Sequence, residues 1–458
     1  MMIDLTAGQS RSLLRGALDG ALDARSLTPA GYYPSRRHRP AFVHDIPVVV
    51  GARGAGKSVL ARVLTDPALR AVASAAYRLP KLERAQAVTV LGEGGLLSAA
   101  DVRAADAAGV EPRDLWAAAA LAAVEAPGTA PAGSWQERAA GAQQALREAV
   151  HAGREEASLF LVFDGLEDLA PSTRGEHARA LLQLACDLHR ARSSRAPGRQ
   201  PVVAKVFLAP DTLRGASGGD IPPVFELTWT DGPYVDARWN SLYALLLHLA
   251  AGRPGTEARA LRAAFPGWED GWAARSSALD RLCCDRRVLE NAMAAFAEPR
   301  MGLSRTSGLV FSWPLVRLAD AHGHVTPRSF LAFVQAALAA DRAGGESSLR
   351  PLRSETVHRG LLAGVRVRAL EEEQGAPWVA AALDALAGLQ LPLPLHQVRE
   401  RWAAAGVEEA HGPDLVGRLV DGGFLTRRSD GSLDMPDVYR IAWGLGRRGG
   451  VRRPEASA

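Results

Sequence analysis

Lysine is nearly missing from this chain of 458 residues. Of its 54 basic side chains, 51 are Arg and only three are Lys, at positions 57, 81 and 205. Basic residues outnumber the 50 acidic ones by only four, and the two kinds are interleaved. That balance is too mild to indicate nucleic-acid binding by itself. A lysine kept in such a chain points to a position where Arg cannot take its place.

Cysteine and long apolar runs are also scarce. The three cysteines, Cys186, Cys283 and Cys284, have no metal-ligand spacing, and so few thiols suit a reducing cytoplasm. No segment approaches the roughly 18 consecutive apolar residues that a membrane span needs, and the N-terminus has no apolar signal-peptide core. We therefore expect a cytoplasmic protein without a membrane partner, in which the thiols are buried or idle.

The rest of the composition is that of a globular protein. Hydrophobic residues make up 47% of the chain and charged residues 23%, which excludes an intrinsically disordered chain. A chain of this length can form two or three domains, each with its own core.

The lysine at position 57 lies in the stretch Gly51–Ser58, which reads GARGAGKS. This stretch satisfies the pattern GxxxxGK(S/T), and it stands between a strand-like run, DIPVVV, and a segment with helical apolar spacing,. In such a loop, backbone N–H groups and the helix N-terminus face phosphate oxygens. Lys57 would reach the β and γ phosphates, where the forked guanidinium of Arg does not fit, and Ser58 would bind Mg²⁺. The predicted nucleotide contacts are Gly51, Arg53, Gly54, Ala55, Gly56, Lys57, Ser58 and Val59.

A second pattern lies at residues 158–172, SLFLVFDGLEDLAPS. The apolar run Leu159–Phe163 predicts a buried parallel strand that delivers Asp164 to the edge of the sheet. After a GxxxxGK(S/T) loop, such a carboxylate holds the Mg²⁺ shell. Glu167 and Asp168 follow within reach of a water near the γ-phosphate. Alternatively, Glu167 and Asp168 are acidic residues that cap or stabilise the first turn of the next helix.

Together, GARGAGKS and FDGLED resemble the STAND branch of the AAA+-related P-loop NTPases, and most of all NACHT-type modules. The resemblance implies an α/β fold with a parallel sheet flanked by helices, followed by a helical lid and a winged-helix domain. It also implies ATP or GTP with Mg²⁺ as cofactors, metal coordination by Asp164, and water positioning by Glu167 and Asp168. Ordinary AAA+ enzymes place Glu directly after the Asp, whereas this chain has Gly165, which argues against a fast motor.

Two weaker patterns extend the resemblance. Residues 200–213, QPVVAKVFLAPDTL, predict the next parallel strand, at whose end related NTPases carry a polar or basic sensor. This chain has Ala209, Pro210 and Asp211 there, so we expect slow hydrolysis unless Thr212 or Arg214 compensates. Pro327 and Arg328 open an apolar helix that resembles a sensor-2 element, in which Arg contacts the nucleotide. The alternative is an exposed Arg in a first turn with Pro at N1.

Changes in composition and periodicity predict four parts of the chain. The predicted parts are an N-terminal helical or linker segment at 1–40, a P-loop core at 41–235 with a helical insertion at about 96–150, a helical lid at 236–350, and a winged helix with a basic tail at 376–458. Within the winged helix, we predict two paired strands joined by a turn at 429–431.

The predicted winged helix does not have the charge pattern of a DNA reader. Its second helix, residues 412–420, has Arg418 as its one basic residue, whereas recognition helices present several polar and basic side chains to the bases. Basic residues that could touch phosphates lie in the wing and tail instead: Arg427, Arg428, Arg447, Arg448, Arg452 and Arg453. We therefore favour an intramolecular lid or a protein-contact module.

These observations predict a nucleotide-dependent switch that is closed with bound nucleotide and opens or forms a homo-oligomer on a signal. No repeat array follows the core, so partner proteins would supply sensing or output, by family analogy in signalling or phage defence. One alternative is an ATP-dependent DNA-binding protein, either origin-recognition-like or a transcriptional regulator. Another is a nucleotide-binding scaffold without turnover.

Overall fold

By its contacts the chain divides into two units. Unit 1 comprises Met1–Tyr33, Arg53–Ala55 and Thr228–Ala458, and unit 2 comprises Pro34–Ala52 and Gly56–Leu227. The computed structural model describes residues 3, 5–129, 133–152, 157–194, 199–216, 218–231, 238–265, 268–304, 307–341, 350–407 and 414–448. Within these ranges, no helix combines the length and apolarity that crossing a bilayer requires.

Unit 2 is built on a five-stranded sheet in which every neighbouring pair is parallel. The strands are β1 (Val48–Val50), β2 (Gln86–Leu91), β3 (Leu159–Phe163), β4 (Val202–Leu208) and β5 (Val224–Glu226), in the order β2-β3-β4-β1-β5. The three central strands are buried along their whole length, as expected when helices cover both faces of a parallel sheet. The predicted α/β class with a parallel sheet flanked by helices is confirmed.

Helices fill the connections between these strands. In chain order, α1 (Ala7–Leu18) and the 3₁₀ segments Ala24–Ser26 and Arg36–Phe42 precede the sheet; they are followed by α2 (Lys57–Thr65), α3 (Pro67–Tyr77), α4 (Pro80–Arg84), α5 (Ala99–Ala107), α6 (Pro112–Glu125), α7 (Trp135–Ala139), α8 (Ala142–Ala152), α9 (Pro171–Ser194) and α10 (Pro210–Gly215). Most residues of α6 are buried, and the majority of these buried residues are alanines. The ring of Trp116, also in α6, packs edge-on against Phe163 of β3. Helices α5–α8 form the helical segment between β2 and β3.

The strand order places a topological switch point at one end of the sheet,. The connection leaving β1 leads to β2 at one edge, whereas the connection leaving β4 leads to β5 at the other edge. Because these connections run in opposite directions, right-handed crossovers place them on opposite faces of the sheet. This change of face occurs at the carboxyl ends of β1 and β4, which is where open α/β sheets bind ligands. Residue 51 follows β1 at this end, and Asp164 follows β3 on the far side of β4.

Unit 1 is mainly helical. Its further helices are α11 (Asn240–Ala251), α12 (Thr256–Ala263), α13 (Trp272–Cys284), α14 (Arg286–Met293), α15 (Trp313–Leu318), α16 (Pro327–Asp341), α17 (Ser354–Gly375), α18 (Pro377–Asp384), α19 (Leu395–Ala404), α20 (Leu415–Asp421) and α21 (Asp437–Ala442). Helices α16 and α17 pack closely because Gly360 and Gly364 have no side chains. A Cβ at these glycines would lie 2.6 Å from Phe333 O and 2.7 Å from Ser329 O, respectively.

Two short strand pairs complete unit 1. Strands β6 (Gln390–Leu391) and β9 (Gly446–Arg447) pair in parallel, and β7 (Thr426–Arg427) and β8 (Leu433–Asp434) form an antiparallel ribbon. The ribbon turns through Gly431, whose φ of +81° lies in the left-handed region that favours glycine,. The turn predicted at 429–431 is therefore present.

Candidate functional site

The residues Gly51–Gly56, called here the glycine loop, connect β1 to the first residue of α2. Gly54 and Gly56 have φ values of +72° and +103°, which residues other than glycine rarely adopt. Gly56 precedes α2 and has no side chain to cap the helix, so no N-cap side chain occupies the first N–H groups of α2, which remain available to an acceptor. Such an end attracts anions.

Lys57, the first residue of α2, turns its ammonium group towards its own loop. Nζ donates to Gly51 O at 2.9 Å and to Ala52 O at 3.4 Å. It also lies 3.6 Å from Oε1 of Glu167, and both side chains are about nine-tenths buried. The ammonium is thus surrounded by oxygen acceptors, which are the partners that a phosphate group would offer.

Ser58 and Asp164 meet although they are 106 residues apart in sequence. The Ser58 hydroxyl lies near enough to the Asp164 carboxylate to lower its pKa as a hydrogen-bond donor. Burial raises the pKa of Asp164 to about 6, and the negative charges of Glu167 and Asp168 add to this rise. The Ser58 hydrogen bond and the Lys57 ammonium oppose it. The structure therefore brings the two predicted metal ligands, Ser58 and Asp164, close together.

The predicted water-positioning acids lie in a single 3₁₀ turn, Leu166–Asp168. Gly165 enters this turn with a φ of +97°, and a Cβ at this position would lie 3.3 Å from Asp168 Oδ2. Arg174, in the first turn of α9, donates to Glu167 O at 2.8 Å and to Leu169 O at 2.9 Å. Sequence reasoning missed Arg174, because nothing local distinguishes it from the other 50 arginines.

Gly92, just after β2, is a second residue that sequence reasoning missed. Its φ is +130°, and a Cβ there would lie 2.8 Å from Asp164 O. On the same side, Asp164 N donates to Leu91 O at 2.9 Å. The end of β2 thus fixes the backbone of Asp164. The available signal was the β-branched run within Gln86–Leu91, which ends at a glycine.

Few side chains at this site could hold a metal ion. The described residues contain no group of three or more His, Cys, Asp or Glu side chains placed to hold a metal. Ser58 and Asp164 offer hard oxygen donors, and Glu167 Oε1 is buried with no hydrogen-bond partner within the described ranges. Mg²⁺ usually takes one or two such protein oxygens and keeps water and phosphate as its remaining ligands.

The sensor candidates lie at the start of α10. Ala209 is buried and precedes this helix, and it offers no polar side-chain atom. Thr212 is also buried, and its hydroxyl has no hydrogen-bond partner in the part of the chain that the structure describes. Arg214 lies in the last turn of the same helix. Thr212 is therefore the candidate with an unused polar group.

The predicted contacts Arg53, Gly54 and Ala55 fall in unit 1. Within that unit, Ala55 O accepts a hydrogen bond from Trp229 Nε1 at 2.8 Å. Arg328, in the first turn of α16, donates from Nη1 to Glu371 Oε1 at 3.0 Å, and half of its side chain is exposed. In unit 2, Val59 is the third residue of α2 and is partly exposed. Glu371, the partner of Arg328, lies in α17, between the predicted lid and the predicted winged helix.

Several basic residues near the ribbon are bound to other groups of the protein. Arg428 donates to Asp434 Oδ2 at 2.6 Å, and Arg447 donates to Asp434 Oδ1 at 3.0 Å. The Arg418 guanidinium lies 4.1 Å from the ring centroid of Trp378. Arg427 is exposed, and the predicted phosphate contacts Arg452 and Arg453 lie outside the described residues.

The cysteines are free thiols. Burial raises the pKa of the Cys283 thiol to about 12, so this group stays protonated at neutral pH and is a weak nucleophile.

Comparisons of the chain with protein-family models, with curated proteins and with solved structures found no match.

Proposed function

We propose that this chain is a Mg²⁺-dependent, ATP-binding or GTP-binding switch protein of the STAND or AAA+-related P-loop type. The carrying observation is the convergence of Lys57, Ser58, Asp164 and Glu167 beside the glycine loop. Each of these four residues has a distinct function in phosphate chemistry, and they lie at the end of the sheet where α/β proteins bind ligands.

Nucleotide binding would exchange contacts that the protein now makes with itself. Lys57 would release the carbonyl oxygens of Gly51 and Ala52 and bind phosphate oxygens, which carry more negative charge. The N–H groups of the loop and of the first turn of α2 would bind the same phosphates. Ser58 and Asp164 would hold Mg²⁺, which neutralises phosphate charge when bound.

Hydrolysis would depend on the 3₁₀ turn after Gly165. Glu167 or Asp168 would orient the attacking water, and Arg174 would position the turn through its bonds to Glu167 O and Leu169 O. Because Glu167 now faces Lys57 at 3.6 Å, this ion pair must separate when the γ-phosphate takes the ammonium. We propose slow turnover, since Gly165 stands where fast AAA+ enzymes have Glu and Ala209 offers no polar sensor.

The switch would work with partner proteins that sense a signal or deliver an output, in a signalling or antiviral defence system. This step rests on the family resemblance of GARGAGKS and FDGLED. The predicted sensor-2 residue Arg328 would take part only after it leaves Glu371, its present ion-pair partner.

Phosphate release, measured with purified full-length protein, MgATP and MgGTP, tests the proposed activity. The wild type should release phosphate slowly, whereas Lys57→Ala and Glu167→Gln should not exceed the buffer background. Equal rates for all three proteins would remove the hydrolysis claim and leave a nucleotide-binding scaffold. No binding of either nucleotide to the wild type would remove the proposal altogether.

DNA binding is the alternative, and the ion pairs of Arg428 and Arg447 with Asp434 weigh against it because paired guanidinium groups are less available to phosphates. Titration of duplex DNA at two salt concentrations distinguishes the two functions. Tight, steeply salt-dependent binding that is lost in Arg427→Gln/Arg428→Gln would favour the alternative.

A further inference from the structure

A concave cavity lies within unit 2, in the helical segment between β2 and β3 and the helix that follows. Residues of α6, α8 and α9 line it, and its volume is about 480 Å³, which falls in the range of small-molecule sites. Neither the glycine loop nor the 3₁₀ turn after Gly165 contributes to its lining. The proposed nucleotide chemistry therefore does not account for it.

The floor of this cavity is apolar. Leu146 and Val150 of α8 and Leu184 and Leu188 of α9 contribute to it. Leu146, Val150 and Leu188 belong to the buried core of unit 2, and Leu184 packs against that core while remaining partly exposed. A ligand with an apolar body would cover this surface, gaining about 25 cal/mol for each Å² removed from water.

Two exposed arginines line the cavity beside its apolar residues. Arg113 of α6 and Arg147 of α8 both line the cavity and are exposed. Neither forms an ion pair with another residue in the described ranges, and Arg147 makes a hydrogen bond only from Nε to Gln143 O at 3.3 Å. Two uncompensated guanidinium groups beside an apolar floor are suited to an anionic headgroup.

The third arginine that lines the cavity is already neutralised. Arg190 of α9 forms ion pairs with Asp187 and Asp220, so its charge is matched by carboxylates of the protein. The headgroup of a bound anion therefore belongs beside Arg113 and Arg147, and the apolar body belongs over the leucines of α8 and α9.

We propose that this cavity binds a small amphiphilic organic anion, with one carboxylate or sulfate headgroup and an apolar body. Three helices line the site, and its volume of about 480 Å³ suits a small molecule better than a protein helix,. Because it lies in the segment between β2 and β3, it would give the protein a ligand input separate from the nucleotide. The inference does not rest on nucleotide binding.

Calorimetric titration of the full-length protein with decanoate, below its micellar concentration, tests this site. We expect saturable binding of one decanoate, at least tenfold tighter than binding of decylammonium, and no measurable binding of acetate, which has the headgroup without the body. Arg113→Gln/Arg147→Gln should weaken decanoate binding about tenfold or more, since two charge-assisted contacts are lost. Leu184→Trp should weaken it by filling the cavity.

Arg179→Gln is the matched control, because Arg179 is exposed on α9 but does not line the cavity. It should bind decanoate as the wild type does. Equal affinity for decanoate and decylammonium, or unchanged decanoate affinity in the double variant, would overturn the proposal. Absence of saturable decanoate binding to the wild type would overturn it as well. MgATP titration of the same variants should be unaltered, so the outcome is independent of the proposed nucleotide function.

Discussion

The Lys57 ammonium lies 3.6 Å from the Glu167 carboxylate, and both side chains are largely shielded from water. In this state the residue expected to bind phosphate and the residue expected to orient water neutralise each other. A buried ion pair is costly to break by removing one partner, since the other charge is left uncompensated. A bound triphosphate would supply the ammonium with a new anion and would leave the Glu167 carboxylate to interact with water.

Glu167→Gln should separate nucleotide binding from turnover. Without the carboxylate, Lys57 loses a competing anion, so affinity for MgATP should stay equal or rise. Turnover should fall about a hundredfold or more, in the range typical of lost acid–base or water-positioning groups. Equilibrium titration and phosphate release on one preparation measure both quantities. Asp168→Asn is the comparison variant, and a larger loss of turnover in it would reassign the water-positioning function to Asp168.

Asp164→Asn should abolish the effect of Mg²⁺ on nucleotide affinity. The amide keeps the size of the side chain but removes the negative charge that holds the cation. We expect wild-type ATP affinity to fall at least tenfold when Mg²⁺ is replaced by EDTA, and we expect little such change in Asp164→Asn. Ser58→Ala should give an intermediate result. Equal Mg²⁺ dependence in wild type and Asp164→Asn would contradict the assignment of this carboxylate.

Gly92→Ala tests whether the end of β2 fixes Asp164. The new Cβ would lie 2.8 Å from Asp164 O in a backbone conformation with φ of +130°, so Asp164 must shift and MgATP affinity should fall. Gly94→Ala is the matched control, because Gly94 also has a positive φ, +68°, but no atom lies within 4 Å of its added Cβ. It should lose about 1 kcal/mol of stability from backbone strain and keep its nucleotide affinity. Similar MgATP affinities in the two variants would refute the contact argument.

We expect the buried ammonium group of Lys205, on β4, to make the unfolding free energy depend on pH. Burial lowers the pKa of its ammonium to about 7 in the folded protein, while Nζ donates to Val43 O and Ile46 O at 2.6 Å each. An unfolded lysine titrates near 10.4, so between these values the unfolded chain binds more protons than the folded one. The unfolding free energy should therefore rise with pH from about 7 to about 10, by at most about 1.4 kcal/mol per pH unit.

The measurement for Lys205 is urea denaturation at several pH values, for the wild type and for Lys205→Met. The difference between the two proteins isolates this titration from the others. The wild type should gain stability relative to Lys205→Met as pH rises through that window. A constant difference across it would show that the ammonium titrates normally in the folded state.

Local patterns predicted much of the sheet and part of the site. The apolar runs before Gly51 and Asp164 predicted β1 and β3, because buried parallel strands need continuous apolar sequence. Helical spacing after Lys57 and Pro327 likewise predicted α2 and α16. Since the carboxyl ends of parallel strands lie at one edge of a sheet, the proximity of Ser58 to Asp164 was within reach of sequence reasoning.

Other features depend on contacts between distant residues and left no local signal. Arg174 is one of 51 arginines, and its position is recognisable only once α9 packs beside the 3₁₀ turn. Glu371 lies between the predicted lid and the predicted winged helix, yet α17 presents it to Arg328 at 3.0 Å. The N-terminal residues 1–33 belong to unit 1, because the apolar face of α1 packs against α11, a pairing of segments more than 200 residues apart.

The most direct test of the central claim is the MgATP affinity of Lys57→Arg, measured by calorimetry beside the wild type and Lys81→Arg. Lys81 is exposed on α4, so Lys81→Arg controls for the same substitution elsewhere in unit 2. We predict saturable MgATP binding by the wild type and Lys81→Arg, and at least about a hundredfold weaker binding by Lys57→Arg, which corresponds to roughly 2.7 kcal/mol. Wild-type MgATP affinity in Lys57→Arg would contradict the account.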